Sequence, residues 1–200
     1  MTRQTIVLAV ALIAALPPAA SAQALNDLRA MFDAGQYQQA IDAAAASQDP
    51  RLMFLVGQSQ QKMRHPDQAK ASYEKLAARP DGDPWDAIGK SAVALLSSNA
   101  AGAAQDADQA VARGGSIAEA HFQRGLAMSA QQNFPEAAAS FQKATELDPN
   151  WANAHFNAGL AFSKARRPDL TAEHFQAFLK LAPQAPERGE VQSILRTLGR

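Results

Sequence analysis

The sequence predicts an all-α protein: a solenoid of stacked helix–turn–helix units, closed by one further helix. Three observations predict it. Alanine, the strongest helix former, is abundant, and strand-like alternation of Val, Ile and Thr is absent after residue 22. Side-chain types recur at a separation of 34 residues, the mark of a repeat architecture. Prolines and glycines fall between the periodic stretches, where helices start and stop.

Taken in order, the chain begins with MTRQTIVLAVALIAALPPAASA, residues 1–22. Arg3 supplies a positive start, Ile6 to Leu16 an unbroken apolar run, and Pro17-Pro18 its end. Ala20-Ser21-Ala22 then offers the small residues that a signal peptidase reads, with Gln23 as the mature start. The alternative is an uncleaved anchor, but the apolar run is shorter than the roughly 20 residues that spanning requires. The expectation is a cleavable signal peptide over 1–22 and an exported, most simply periplasmic, mature chain over 23–200. After cleavage no stable membrane insertion is expected.

Residues 118–151 laid over 152–184 keep one register. His121 meets His155, Phe122 meets Phe156, Gly125 meets Gly159, Phe141 meets Phe175 and Pro149 meets Pro183, each pair 34 apart. Two periods earlier, Met53, Gly57, Ala69 and Tyr73 fall under His121, Gly125, Ala137 and Phe141. Small residues belong where two helices cross, because backbones approach only where side chains are small. The aromatics fill the space beside those crossings.

The segment AEAHFQRGLAMSAQQNFPEAAASFQKATELDPN resembles the tetratricopeptide repeat (TPR) family. The places of that pattern hold His121, Arg124-Gly125, Met128, Ala137, Phe141, Ala144 and Pro149. The resemblance is strong over 50–80, 118–151 and 152–184 and weaker elsewhere within 24–184. It implies a right-handed α-solenoid of about five helix pairs.

The expected helices are 24–34 and 37–47, 51–63 and 66–78, 84–97 and 100–113, 118–131 and 135–147, and 152–164 and 168–181. A capping helix over about 187–198 then covers the last apolar face with Val191, Ile194, Leu195 and Leu198. The third pair looks irregular. Trp85 and Gly89 lie 36 residues before His121 and Gly125, and the stretch AAGAAQDADQAVARGG has no aromatic. Thin packing is expected there.

Composition narrows the function. Lys+Arg and Asp+Glu number 19 each, so the basic face a nucleic-acid binder needs is not expected. Zero cysteines remove disulfides, thiol catalysis and thiolate metal sites. His121 and His155 share one repeat position, which favours a structural role, since an active site needs its residues only once. His174 beside Glu173 has no second ligand at helical spacing. No nucleophile elbow or phosphate loop appears. No enzyme, cofactor or metal is expected.

First helices of stacked pairs line the concave side of a solenoid. By resemblance, the groove candidates are Glu119, Phe122, Gln123 and Leu126 in the fourth pair. In the fifth they are Asn153, Phe156, Asn157, Leu160 and Lys164. Asn and Gln suit an extended peptide backbone, and Phe122 and Phe156 are either anchors or parts of the core. Chaperone-binding relatives clamp a terminal carboxylate with Lys and Asn around the glycine. Phe122, Leu126, Phe156 and Leu160 occupy that neighbourhood here and disfavour such a clamp. The expected function is an interaction scaffold for a peptide or protein in envelope assembly or secretion. The alternative is a homo-oligomer joined through its capping helices.

Overall fold

The structure, a computed structural model, describes residues 18–199, with side chains from Ala22 onward. Most of the expected export segment therefore lies outside the described residues. Those described form eleven helices and no strand. They are α1 Pro18–Asp33, α2 Tyr37–Ala44, α3 Pro50–Lys62, α4 Pro66–Ala77, α5 Pro84–Leu96, α6 Ala100–Arg113, α7 Ala118–Ala130, α8 Phe134–Leu147, α9 Ala152–Lys164, α10 Pro168–Leu181 and α11 Arg188–Leu198. Each packs against the next, and α5 also touches α7. The result is an all-α solenoid of consecutive helix pairs, here called units one to five. Among the described residues, no helix is long and apolar enough to cross a membrane.

Local chemistry sets the boundaries. Asp49 and Asp83 accept hydrogen bonds from the backbone N–H of Arg51 and Trp85 at 2.9 and 3.0 Å. Pro50 and Pro84 open the helices that follow, at the position where a missing N–H is harmless. The turn inside each pair from unit two to unit five holds one left-handed residue, and these are Arg64, Ser98, Gln132 and Arg166. They lie 34 apart throughout. Unit three therefore keeps the period, correcting the two-residue slip that Trp85 and Gly89 suggested. The residue equivalent to Gly57, Gly125 and Gly159 is Ser91, and the one equivalent to Tyr73, Phe141 and Phe175 is Ala107.

Where the glycine is present, the crossing is tight. A Cβ on Gly57, Gly125 or Gly159 would stand 2.4, 2.6 or 2.5 Å from the ring of Tyr73, Phe141 or Phe175. In unit three, Ser91 is fully buried and its hydroxyl donates to the Ala103 carbonyl at 2.8 Å. Ala103, Ala107 and Ala110 are also fully buried, so α5 and α6 meet through alanine. Gly89 does a separate job. It admits the backbone of α4, with Ala77 N 2.4 Å from where its Cβ would be.

Phe54 of α3 reaches Phe122 of α7, ring centroids 6.3 Å apart, across the intervening unit. Trp85 of α5 joins the contact, its ring centroid 6.4 Å from that of Phe54. A continuous core follows, built on Phe54, Tyr73, Trp85, Ile88, Phe122, Phe141 and Trp151. Two smaller clusters sit at the ends. One holds Leu25, Leu28 and Phe32 of α1 against Ala40, Ala44, Leu52 and Leu55. The other holds Val191 of α11 against Phe175, Phe178, Ala182 and Ala185.

Candidate functional site

The groove candidates lie on α7 and α9, the first helices of units four and five, and most of them are covered. Of the groove candidates, Glu119, Phe122, Gln123 and Asn153 are buried; Leu126, Phe156, Asn157 and Leu160 are half-buried; Lys164 is exposed. Phe122 is a core residue rather than a presented anchor. Its ring stands 4.5 Å from Trp151 and 5.4 Å from Phe141. Gln123 is spent on structure as well: its Nε2–H donates to Ser91 Oγ at 3.1 Å, tying α7 to α5. Asn157 turns back on its own helix, donating to the Asn153 carbonyl at 2.8 Å.

Glu119 is covered by α1. The Arg29 guanidinium donates to Glu119 Oε1 at 3.1 Å and, through its other terminal nitrogen, to Asp148 Oδ2. Its carbon lies 4.7 Å above the Trp151 ring, a cation–π contact. Burial pushes the Glu119 carboxyl above the usual range, and Arg29 pulls against that shift. Arg51, paired with Asp49 at 2.6 Å, lies near enough to both carboxylates to feel their charge. An acidic, aromatic-floored socket thus receives one cation from the N-terminal helix.

A second junction lies further along the same helix. The turn after α1 sets Gly35 against Pro186; a Cβ there would come within 2.9 Å of the proline ring. Gly35 has φ +75°, so the position suits glycine twice over. Lys62 pairs with Glu187 at 2.7 Å and lies 5.8 Å from the centre of the Phe156 ring. Asp33 is held beside them. Burial first and Glu187 second raise its carboxyl to about 7, against the pull of Arg29 and Lys62. The first unit therefore touches both unit four and the segment before α11.

Sequence reasoning missed Arg29, Asp148, Trp151, Asp33 and Lys62. A signal for Arg29 was present: it shares the apolar face of α1 with Leu25, Leu28 and Phe32, at helical spacing. A charge inside an apolar stripe needs a buried partner.

The histidines do repeat one structural bond. His121 Nε2 donates to the Gly115 carbonyl at 3.0 Å and His155 Nε2 to the Pro149 carbonyl at 3.1 Å, each six residues back. Among the described residues no group of three or more metal-ligating side chains converges. An open cleft of about 520 Å³ runs between α2, α3 and α4, with Met53, Val56, Gln60 and Arg79 in its walls. It exists because α2 has only 8 residues and leaves α4 partly uncovered.

Two segments match known repeat families: residues 51–81 the tetratricopeptide repeat and residues 125–165 the TPR repeat. No curated protein matches the chain. Solved structures share its fold. A thermophilic TPR protein of Thermus thermophilus is 18% identical, with a TM-score of 0.61, over 88% of this chain and 98% of that one. The TPR domain of Arabidopsis OM64 is 22% identical at 0.54, over 57% and 94%. The TPR2B domain of yeast Sti1, solved in complex with pHsp70, is 19% identical at 0.53, over 58% and 95%. The protein is thus of the helical-repeat class: an all-α solenoid in which residues 51–81 and 125–165 match tetratricopeptide repeats.

Proposed function

We propose that this protein is an exported, periplasmic scaffold that holds a protein or peptide partner along its concave side. The observation that carries the reading is that this side already holds a helix: α1 places Arg29 into a built recess on α7 and the α8–α9 turn. The Sti1 structures in complex with pHsp70 and pHSP90 lend support by analogy of fold. The export part rests on the three-part pattern of residues 1–22. Beyond the socket, Phe156, Asn157, Leu160 and Lys164 continue the concave surface with an apolar and amide character.

The test is site-specific photo-crosslinking in cells, with the reactive group at position 157 or 164 on the groove and, as control, at exposed position 70 on outer helix α4. Adducts to one discrete protein from 157 and 164 but not from 70 are expected. Equal labelling from all three, or none, overturns the reading. Cell fractionation of the same strain checks the periplasmic location.

Self-association through the caps draws on less. Val191 is buried, Ile194 and Leu195 are half-buried against α10, and only Leu198 stays exposed, at 38%. Light scattering that finds a dimer lost in Leu198→Asp would favour it.

A further inference from the structure

We propose that the Glu119–Asp148–Trp151 socket recognises an arginine carried on an amphipathic helix of the partner, and that α1 is its built-in competitor. This rests on the scaffold reading above and names the partner's chemistry.

The socket is made for a guanidinium. Two carboxylates from separate elements each take one terminal nitrogen of Arg29, and the Trp151 face lies under its carbon. A planar fork can bridge two carboxylates while stacking on an indole; the compact ammonium of lysine cannot do both. The demand for a cation is strong because the site is dry. The Arg29 and Glu119 side chains are 9% and 6% exposed. With Arg29 withdrawn, the Glu119 and Asp148 carboxylates keep the Arg51 guanidinium nearby but lose the cation seated between them. A buried, unpaired charge is among the costliest arrangements a fold can hold, so whatever leaves must be replaced.

The present occupant is built to leave. α1 lies at the end of the solenoid, so it can swing out without unthreading another helix. Its apolar residues form a cluster separate from the main core, which α1 meets at Trp151 through Arg29. Gly35, at φ +75°, links it to the rest through a short turn. The buried Trp151 Nε1–H, on the ring under Arg29, makes no hydrogen bond, so a partner that brings an acceptor to it gains an advantage that α1 does not have. The best competitor copies the face of α1, an arginine with apolar residues four and one before it and three after, as in Leu25, Leu28, Arg29 and Phe32.

The experiment uses the full chain and one defined probe, a labelled synthetic peptide of residues 22–36, read by fluorescence anisotropy. Wild type keeps its socket filled and binds weakly. Arg29→Ala frees the socket and is expected to bind the peptide at least about tenfold more tightly, since a cis competitor lowers apparent affinity by the fraction of closed form. The same peptide with alanine for its arginine is expected to lose about tenfold or more, and Glu119→Gln added to Arg29→Ala to lose as much. Arg29→Lys keeps the buried charge paired, and serves if Arg29→Ala loses helicity; its affinity for the arginine peptide should exceed that of wild type. Equal binding of both peptides, or none by either folded variant, overturns the proposal. Crosslinks from positions 157 and 164 that persist while the peptide fails to bind would sink the arginine preference and leave the scaffold reading standing.

Discussion

In unit four, Gly125 lies under the ring of Phe141; one period earlier, the same two places hold Ser91 and Ala107. The two units close one gap from opposite directions. Unit four keeps its first helix bare and fills the crossing from the second. Unit three puts a small hydroxyl on the first helix, satisfies it with the Ala103 carbonyl, and meets it with Ala103, Ala107 and Ala110 on the buried face of the second helix. The helix spacing survives because the sum of the two residues, not either one, sets it. The consequence is not only local. Phe54 of α3 and Phe122 of α7 still meet across unit three, and the aromatic interior is continuous through it.

Breaking the comparison at its heavy end gives the largest effect. Phe141→Ala removes a fully buried ring from its crossing and is expected to cost about 3–5 kcal/mol, with a lower urea midpoint at unchanged slope. Ala107→Gly, its counterpart, should cost only about 1 kcal/mol, the helix-propensity difference. Equal losses would mean that unit three is packed by something other than its alanines.

Sharpening it at the glycines comes next. At Gly125 an added methyl meets a phenyl ring, which can tilt; at Gly89 it meets backbone of α4, which cannot. Gly89→Ala is expected to destabilise by about 2–4 kcal/mol and Gly125→Ala by about 1–2 kcal/mol, each less the gain in helix propensity. Thermal unfolding of the two variants side by side decides the order, and a reversed order would place the critical close approach in unit four.

The sequence showed the helices well because their signals are local and periodic. Proline at the start of α3, α4, α5 and α10 and the 34-residue register sit in the chain itself. The register of unit three was harder. Gly89 drew the eye as the missing crossing glycine, while the residue in that place, Ser91, looks like any surface serine until its burial is known. The socket was least legible. It joins residues 90 and 119 positions apart, and no repeat pattern announces that α1 folds over unit four. The groove positions transferred from the repeat pattern include Glu119 and Asn153, but the pattern does not show that both are buried or that Arg29 of α1 sits on Glu119. Coverage depends on the irregular first unit, which the pattern does not describe.

Unit five differs from unit four at one more place, and it gives the smallest expected effect. His155 repeats His121, but the position that holds Ser140 in unit four holds His174 in unit five. The two imidazoles meet at 3.1 Å between their Nδ1 atoms. Because His155 donates its Nε2–H to the Pro149 carbonyl, its Nδ1 carries no proton in the neutral ring, and His174 Nδ1–H must donate to it. Burial, with the neighbouring His155 charge second, lowers His174 to about 4. Burial lowers His155 as well. In the unfolded chain both titrate near 6.5, so acid protonates the unfolded form first. Stability is therefore complete above about pH 6.5 and falls as the pH drops toward 4, by about 1–2 kcal/mol once solvent screening of a partly exposed pair is allowed for. His174→Ser removes the second imidazole and should flatten that slope between pH 7 and 5 in urea titrations, whatever it does to the midpoint at pH 7. A wild-type slope in the variant would assign the acid sensitivity to groups other than this histidine pair.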